Sequence, residues 1–275
     1  MMGVPVALAI AGSDSSGGAG IQADLKTFSA LGVYGASVLT ALTAQNTKGV
    51  FAIHQVPADF IAAQLDAVFA DLDVGATKIG MLGDAPAIAA VAAGLARHRA
   101  RNVVLDPVLA ATSGEDLLRP DALDGLRELI GRARLLTPNL PEAAALLDVP
   151  VARNEAEMRR QAENLLALGV GAVLIKGGHG SGADSVDLLV ESDRCERFAA
   201  PRIVTENTHG SGCTLASAVA AGLAKGRALT EAVRDAKAYV SAAIAAADRL
   251  NIGSGRGPLH HFPNGWALSS DPKKS

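Results

Sequence analysis

The stretch 4-VPVALAIAGSDSSGGAGIQADLKTFSALG-32 decides the fold class. It opens on an apolar run, 4-VPVALAIA-11, and passes through a polar loop crowded with glycine. It then continues into 20-GIQADLKTFSALG-32, where Ile21, Leu25, Phe28 and Leu31 recur at helical spacing and Gly32 offers a stop. A short apolar strand, a glycine loop and an amphipathic helix form the unit from which parallel sheets are assembled.

The alternation continues along the chain. The runs 37-SVLTALTA-44, 76-ATKIGML-82, 102-NVVLDPVLA-110, 134-RLLTPN-139 and 172-AVLIKGG-178 read as buried strands. Helical stretches at 57–72, 85–98, 121–133 and 154–169 separate them, the first opening on Pro57 and Asp59. Strands covered on both faces read as continuous apolar runs, so the central sheet is expected to be mainly parallel and the class α/β. The more polar segments 185–192 and 194–204 read as an antiparallel pair, and two helices, 211–224 and 229–249, close the chain. With no internal repeat, low-complexity tract or long linker, residues 1–275 are expected to form one domain.

Composition narrows the function. Hydrophobic residues make up 49% of the chain but aromatics only 3%, so Ala, Val, Leu and Ile must build the core. A net charge of -3 gives no footprint for nucleic acid or an anionic membrane and points to small-molecule partners. The run 4-VPVALAIAG-12 is too short to span a bilayer and has no basic residues ahead of it, so a cytoplasmic protein is expected. Two cysteines, Cys195 and Cys213, cannot make a disulfide framework; a single bridge between them stays open.

In open parallel sheets, ligands bind beyond the carboxyl ends of the strands. Each apolar run here gives way to polar residues or glycine: Ser13 and Asp14, Gln45 and Asn46, Gly80 to Gly83, Asp106, Asn139 and Glu142, Lys176 to Gly178, and Thr208 to Cys213. The loop 12-GSDSSGGAGIQAD-24 is neither a Walker A loop, lacking the Lys-Ser/Thr step, nor a dinucleotide fingerprint. Its glycines 17, 18 and 20 make it a candidate lid.

The segment 205-TENTHGSGCTLASAVAAG-222 carries more. The amides of Gly210, Ser211, Gly212 and Cys213 at a helix start would form an anion site with the helix dipole. A thiol there is expected to fall from about 8.5 toward neutrality. Cys213 is then either a base or nucleophile, or a small packing residue. Asp106, Glu142 and Asn139 suit magnesium, which takes oxygen ligands and keeps waters; Glu142 after Pro141 also reads as an ordinary first-turn acid. Lys176 beside two glycines suits a phosphate, or snorkels from a strand end. His179 and His209 show no metal spacing. Together these features indicate an enzyme that handles a phosphoryl group with magnesium.

With those residues assembled, the chain resembles the ribokinase-like superfamily and, within it, the hydroxymethylpyrimidine/phosphomethylpyrimidine kinases of thiamine biosynthesis. The likeness rests on 11-AGSDSSGGAGIQADLKTF-28, 43-TAQNT-47, 77-TKIGMLG-83, 104-VLDPV-108, 137-TPNLPEA-143, 175-IKGGH-179, 207-NTHGSGCTL-215 and 252-IGSGRGPLHHF-262. It implies a three-layer α/β/α sandwich, a homodimer, and transfer of the ATP γ-phosphate to 4-amino-5-hydroxymethyl-2-methylpyrimidine and then to its monophosphate. It further implies that Gln45 binds the pyrimidine, with Gly12, Asp24, Met81 and Val108 around it, and that Cys213 is the base. Lys176, Thr208 and Asn139 would serve the nucleotide, Gly210, Ser211 and Gly212 the transferring group, and Asp106 and Glu142 the Mg2+. Thr112 stands where many relatives have lysine, and Ser211 where many have threonine. Pyridoxine/pyridoxal kinases share this fold and chemistry, some relatives with the glycine-cysteine loop act on vitamin B6, and they form the nearest alternative. A non-catalytic sensor of thiamine precursors and a cysteine hydrolase paired with His209 are the others.

Overall fold

Side chains on successive strand residues face opposite sides of a sheet, and in this chain the two sides differ in size. The computed structural model describes residues 3–111, 114–115, 117–178, 182–263 and 265. In chain order its elements begin β1 (Val6–Ala11), α1 (Gly20–Ala30), β2 (Tyr34–Leu39), β3 (Ala41–Asn46), β4 (Gly49–Gln55) and α2 (Ala58–Asp71). Next come β5 (Val74–Ile79), α3 (Ala85–Arg97), β6 (Val103–Leu105), α4 (Leu123–Ile130), β7 (Leu135–Leu136) and α5 (Leu140–Leu147). The remainder are α6 (Glu155–Leu166), β8 (Val173–Lys176), β9 (Asp184–Val190), β10 (Cys195–Pro201), α7 (Ser211–Ala224) and α8 (Leu229–Ala245).

An eight-stranded sheet runs in the order β10-β9-β8-β7-β6-β5-β1-β2. The ladder from β2 through β8 is parallel, and β9 and β10 fold back as the expected antiparallel pair. Toward one face point Leu8 and Ile10 of β1 with Ile79, Leu105, Leu136 and Ile175, and α2 to α6 cover them. Toward the other point Ala7, Ala9, Ala11 and Ala76, beneath α1, α7 and α8. Alanine leaves room for a helix backbone to lie low, and α7 is itself rich in alanine, so its start is carried down onto the sheet edge.

The structure corrects two boundaries. The run 37–44 is not one strand: the chain leaves the sheet at Thr40, whose amide bonds the Ala11 carbonyl while its hydroxyl bonds the Met81 carbonyl at 2.7 Å. Beyond it β3 pairs with β4 in a separate two-stranded sheet on which Phe51 and Ile53 stay exposed. The short helix α5 also escaped periodicity. Its sign was the Asn139–Glu142 spacing, which is a reciprocal capping box: Asn139 Oδ1 accepts the Glu142 amide at 2.8 Å and Glu142 Oε2 accepts the Asn139 amide at 2.7 Å. Among the described residues no helix is long and apolar enough to cross a membrane.

The low seat of α7 can be tested by overfilling it. Ala9 is fully buried on the alanine face, and Ala9→Leu is expected to destabilise the protein by about 1–3 kcal/mol, lowering the urea midpoint. An unchanged midpoint would show that α7 has slack against the sheet.

Candidate active site

The carboxyl ends of β1, β5, β6, β7 and β8 lie along one edge because those strands are parallel neighbours, and the start of α7 reaches the same edge. Between them opens a cavity of about 700 Å³. Its wall includes every residue expected at the site except Asp24. Gln45 reaches it because a bulge between Ala44 and Gln45 shifts the β3–β4 register. Ser15 Oγ fixes the Gln45 main chain from both sides, donating to its carbonyl at 2.8 Å and accepting its amide at 2.9 Å.

The glycine loop after β1 is tied down by its own hydrogen bonds. Its organiser is Asp14, 1% exposed. Asp14 Oδ1 accepts the amide and hydroxyl of Ser16, and Oδ2 accepts the amides of Gly18 and Ala19 and Nε2 of His209, all within 3.1 Å. Burial alone would raise this carboxyl, but His209 and Ser16 hold it well below the usual range. The glycines serve contact between loops. A Cβ on Gly18 would lie 2.5 Å from His209 Cδ2, and one on Gly210 only 2.0 Å from the Gly18 carbonyl oxygen.

Gly210, at φ 81°, turns the chain into α7. The amide of Ser211 is taken by the Thr208 carbonyl at 3.1 Å and that of Thr214 by Gly210. Of the four amides expected to face an anion, that of Ser211 is therefore spent within the turn, while those of Gly210, Gly212 and Cys213 have no backbone acceptor among the described residues. Gly212 lies close under the charged pair: Lys176 Nζ and Asp106 Oδ2 stand 3.2 and 3.5 Å from where its Cβ would be, so a side chain there would press on the lysine tip.

Cys213 is a free thiol, as is Cys195. Its acidity runs opposite to the expectation. Burial pushes the thiol up to about 11, with Asp24 and Asp106 adding to the rise, while Lys78 and a hydrogen bond from the Gly20 amide oppose it. Desolvation outweighs the helix terminus here.

Asp24 is likewise corrected. It is fully buried, and both its carboxylate oxygens accept from Lys78 Nζ at 2.8 Å, with Ser217 Oγ adding a 2.7 Å bond to Oδ1. Burial raises the Asp24 carboxyl, against the pull of Lys78. The pair lies beneath the cavity floor and leaves Asp24 no exposed atom for a ligand.

Lys176 does not stand free for phosphate. Its Nζ lies 2.7 Å from Asp106 Oδ1 and 3.9 Å from Glu142 Oε2. Asp106 also accepts from Thr137 Oγ1 at 3.0 Å. Burial raises the Glu142 carboxyl to about 7, Lys176 opposing and Asp106 adding. No group of three His, Cys, Asp or Glu side chains converges for a metal among the described residues. The donors at this spot are all oxygens, Asp106, Glu142 and the Asn139 amide, with the latter two partly engaged in the capping box. That set suits a hydrated hard cation that completes its shell with water and phosphate oxygens.

Three participants have roles that the sequence does not assign. Lys78 lies inside an apolar strand run. His209, which shows no metal spacing and offers a hydrolase partner in sequence, is in the structure the partner of Asp14. The segment 252–262 straps the loops together: Arg256 donates its amide to the Thr47 carbonyl at 2.8 Å, Gly257 donates to Asn207 Oδ1 at 2.9 Å, and His209 donates to the Gly257 carbonyl at 3.1 Å. Within it His261 Nε2 lies 3.1 Å from Thr214 Oγ1. Because that hydroxyl donates to the Gly210 carbonyl, the imidazole is the donor; burial pushes it down to about 4 and keeps it neutral. His179 and Thr112 lie outside the described residues.

Comparison with known proteins places this geometry. The phosphomethylpyrimidine kinase family model matches residues 14–260. A hydroxymethylpyrimidine/phosphomethylpyrimidine kinase of Rhizobium meliloti (strain 1021) is 60% identical over 262 residues, covering 95% of this chain and 98% of that protein. Among solved structures, the ADP complex of Bacillus subtilis pyridoxal kinase superposes with a TM-score of 0.87 at 37% identity, over 94% of this chain and 98% of that one. The phosphomethylpyrimidine kinase of Clostridium difficile 630 gives a TM-score of 0.78 at 44% identity, over 87% and 99%.

The acidity of the thiol is directly measurable. In a Cys195→Ser background, alkylation of Cys213 by iodoacetamide in the ligand-free protein is expected to be slow at neutral pH and to climb through pH 10, following a thiol near 11. A rate that levels off below pH 9 would restore the acidic thiol that the helix start alone predicts.

Proposed function

The chain belongs to the phosphomethylpyrimidine kinase family, and on that premise we propose that it moves the γ-phosphate of ATP first onto the hydroxymethyl group of 4-amino-5-hydroxymethyl-2-methylpyrimidine and then onto the resulting monophosphate, supplying the diphosphate for thiamine biosynthesis. It is a kinase with an α/β fold built on a mostly parallel eight-stranded sheet. The observation that carries the assignment of roles is the convergence of Gln45, Cys213 and the unpaired Gly212 and Cys213 amides on one cavity. Family resemblance supports the rest of the reading: one domain over residues 1–275, a cytoplasmic homodimer, and small-molecule partners in place of nucleic acid or membrane.

The amide of Gln45 offers one donor and one acceptor, which match a ring nitrogen and its adjacent exocyclic amine. Gly12, Met81 and Val108 supply the wall against which the ring lies. In the first transfer the hydroxyl oxygen bonds the γ-phosphorus, its proton passes to the Cys213 thiolate, and ADP departs with the electron pair of the broken P–O bond. The Gly212 and Cys213 amides face the charge on the moving group. Lys176 turns from Asp106 to the nucleotide phosphates, while Thr208 and Asn139 border the nucleotide. Magnesium, held by Asp106 and Glu142 largely through water, would supply positive charge to those phosphates and offset the Asp106 carboxylate. Of the two carboxylates that oppose ionisation of Cys213, Asp106 is the one on the cavity wall. The thiolate is accordingly a property of the loaded site.

The two transfers make different demands on Cys213. A hydroxyl must lose a proton, whereas a phosphate monoester, with its second pKa near about 6, already presents an anionic oxygen at neutral pH. Cys213→Ala is expected to slow the first transfer by roughly 10²- to 10⁴-fold and the second far less, with ATP affinity retained. Equal losses in both, or none in the first, would remove Cys213 from the role of base. Mass spectrometry of products from Mg-ATP and the pyrimidine tests the activity itself, mono- and then diphosphate being expected. A second reading, transfer to pyridoxal, draws on the likeness to the Bacillus subtilis pyridoxal kinase; product from pyridoxal and none from the pyrimidine would establish it instead.

A further inference from the structure

His209 touches both the carboxylate that organises the first loop and the amide assigned above to the pyrimidine. Its Nε2 lies 2.8 Å from Asp14 Oδ2 and 3.4 Å from Gln45 Nε2. An ionised carboxylate only accepts, so the hydrogen on His209 Nε2 points to Asp14, and that nitrogen has no lone pair left for an N–H from Gln45. The far end of the amide meets a matching conflict. Gln45 Oε1 lies 3.2 Å from Thr43 Oγ1, but that hydroxyl has one hydrogen and a better acceptor in the Ser13 carbonyl at 2.9 Å. Turned end for end, the same amide satisfies everything: its oxygen shares the His209 hydrogen, and its nitrogen donates to the Thr43 oxygen.

We infer that His209, with Thr43, is a positioning residue that locks the Gln45 amide with its oxygen toward the imidazole and its nitrogen toward Thr43, and so dictates which way round a substrate's donor and acceptor must lie. The inference rests on the pyrimidine reading above and deepens it. One lone pair and one N–H then face the cavity in fixed order. An aminopyrimidine edge, an acceptor ring nitrogen beside a donor amine, fits that order in one registration only. The carbon bearing the hydroxymethyl group is next to the amine-bearing carbon, so the registration also decides whether the hydroxyl is presented to Cys213 or turned away. Asp14 is what prevents the imidazole from reversing its donor, and five donors saturate that carboxylate.

The test uses two substrates with opposite edges: the 4-amino pyrimidine and its 4-oxo analogue, whose ring N–H donates and whose oxygen accepts. Initial rates with Mg-ATP give the ratio of kcat/KM for the two. Wild-type protein is expected to favour the amino compound strongly. His209→Met and Thr43→Val should each lower that preference roughly tenfold, by freeing the amide to turn, and His209→Gln, which keeps an N–H near the Nε2 position, should recover most of it. Thr43→Val preserves side-chain shape and serves if the His209 variants fail to melt cooperatively. A His209 residue that only scaffolds the loop would depress both substrates alike, and an unchanged ratio in both His209→Met and Thr43→Val would overturn the inference. Wild-type protein that phosphorylates neither pyrimidine would overturn the functional reading, and this inference with it.

Discussion

The carboxylate of Asp14 is the point from which the site is built. It gathers three backbone amides, a serine hydroxyl and an imidazole, so that the loop after β1 and the turn before α7 are held by one buried anion. A buried charge is tolerable only when its lone pairs are filled. Here the filling groups come from two segments far apart in the chain, and satisfying the charge therefore fixes their separation. The close glycine contacts, Gly18 against His209 and Gly210 against Gly18, are the steric side of the same arrangement. A loop so tied presents an ordered wall to the cavity.

A second buried charge does similar work under the floor. Lys78 comes from β5, Asp24 from α1 and Ser217 from α7, and their hydrogen bonds join three elements where the packing is otherwise alanine on alanine. Buried ion pairs add little net stability over apolar packing, but losing one partner is severe. The pair is better understood as fixing where α7 sits, and with it the height of Cys213 above the sheet. It also surrounds the thiol with opposed charges, Lys78 favouring ionisation and Asp24 opposing it.

The same economy appears on the nucleotide side. Lys176 sits between Asp106 and Glu142, and burial raises the Glu142 carboxyl to about 7, so the buried cation is compensated at close range. Phosphoryl transfer draws its rate from positioned charge, and the groups that would meet phosphate and metal serve each other until then.

Much of this was legible in the chain because burial leaves a one-dimensional trace. Strands covered on both faces must be apolar throughout, which made β1, β5, β6 and β8 plain, and the residues directly after them marked the edge where the cavity lies. The glycine-cysteine segment announced an anion site because the donors are local backbone amides. The sequence by itself thus determined the fold class and the mainly parallel sheet, and pointed to the strand ends where the cavity lies. It did not show β4, whose apolar Phe51 and Ile53 stay exposed on a small separate sheet, or that Asn139 and Glu142 close a reciprocal capping box. Tertiary structure alone decided that Asp24 belongs to Lys78, that Asp14 meets His209 from the other end of the chain, and that the Cys213 thiol is raised where local sequence predicted it lowered. Those outcomes depend on desolvation and on charges brought together by packing, quantities that sum over neighbours in space and leave no mark on neighbours in sequence.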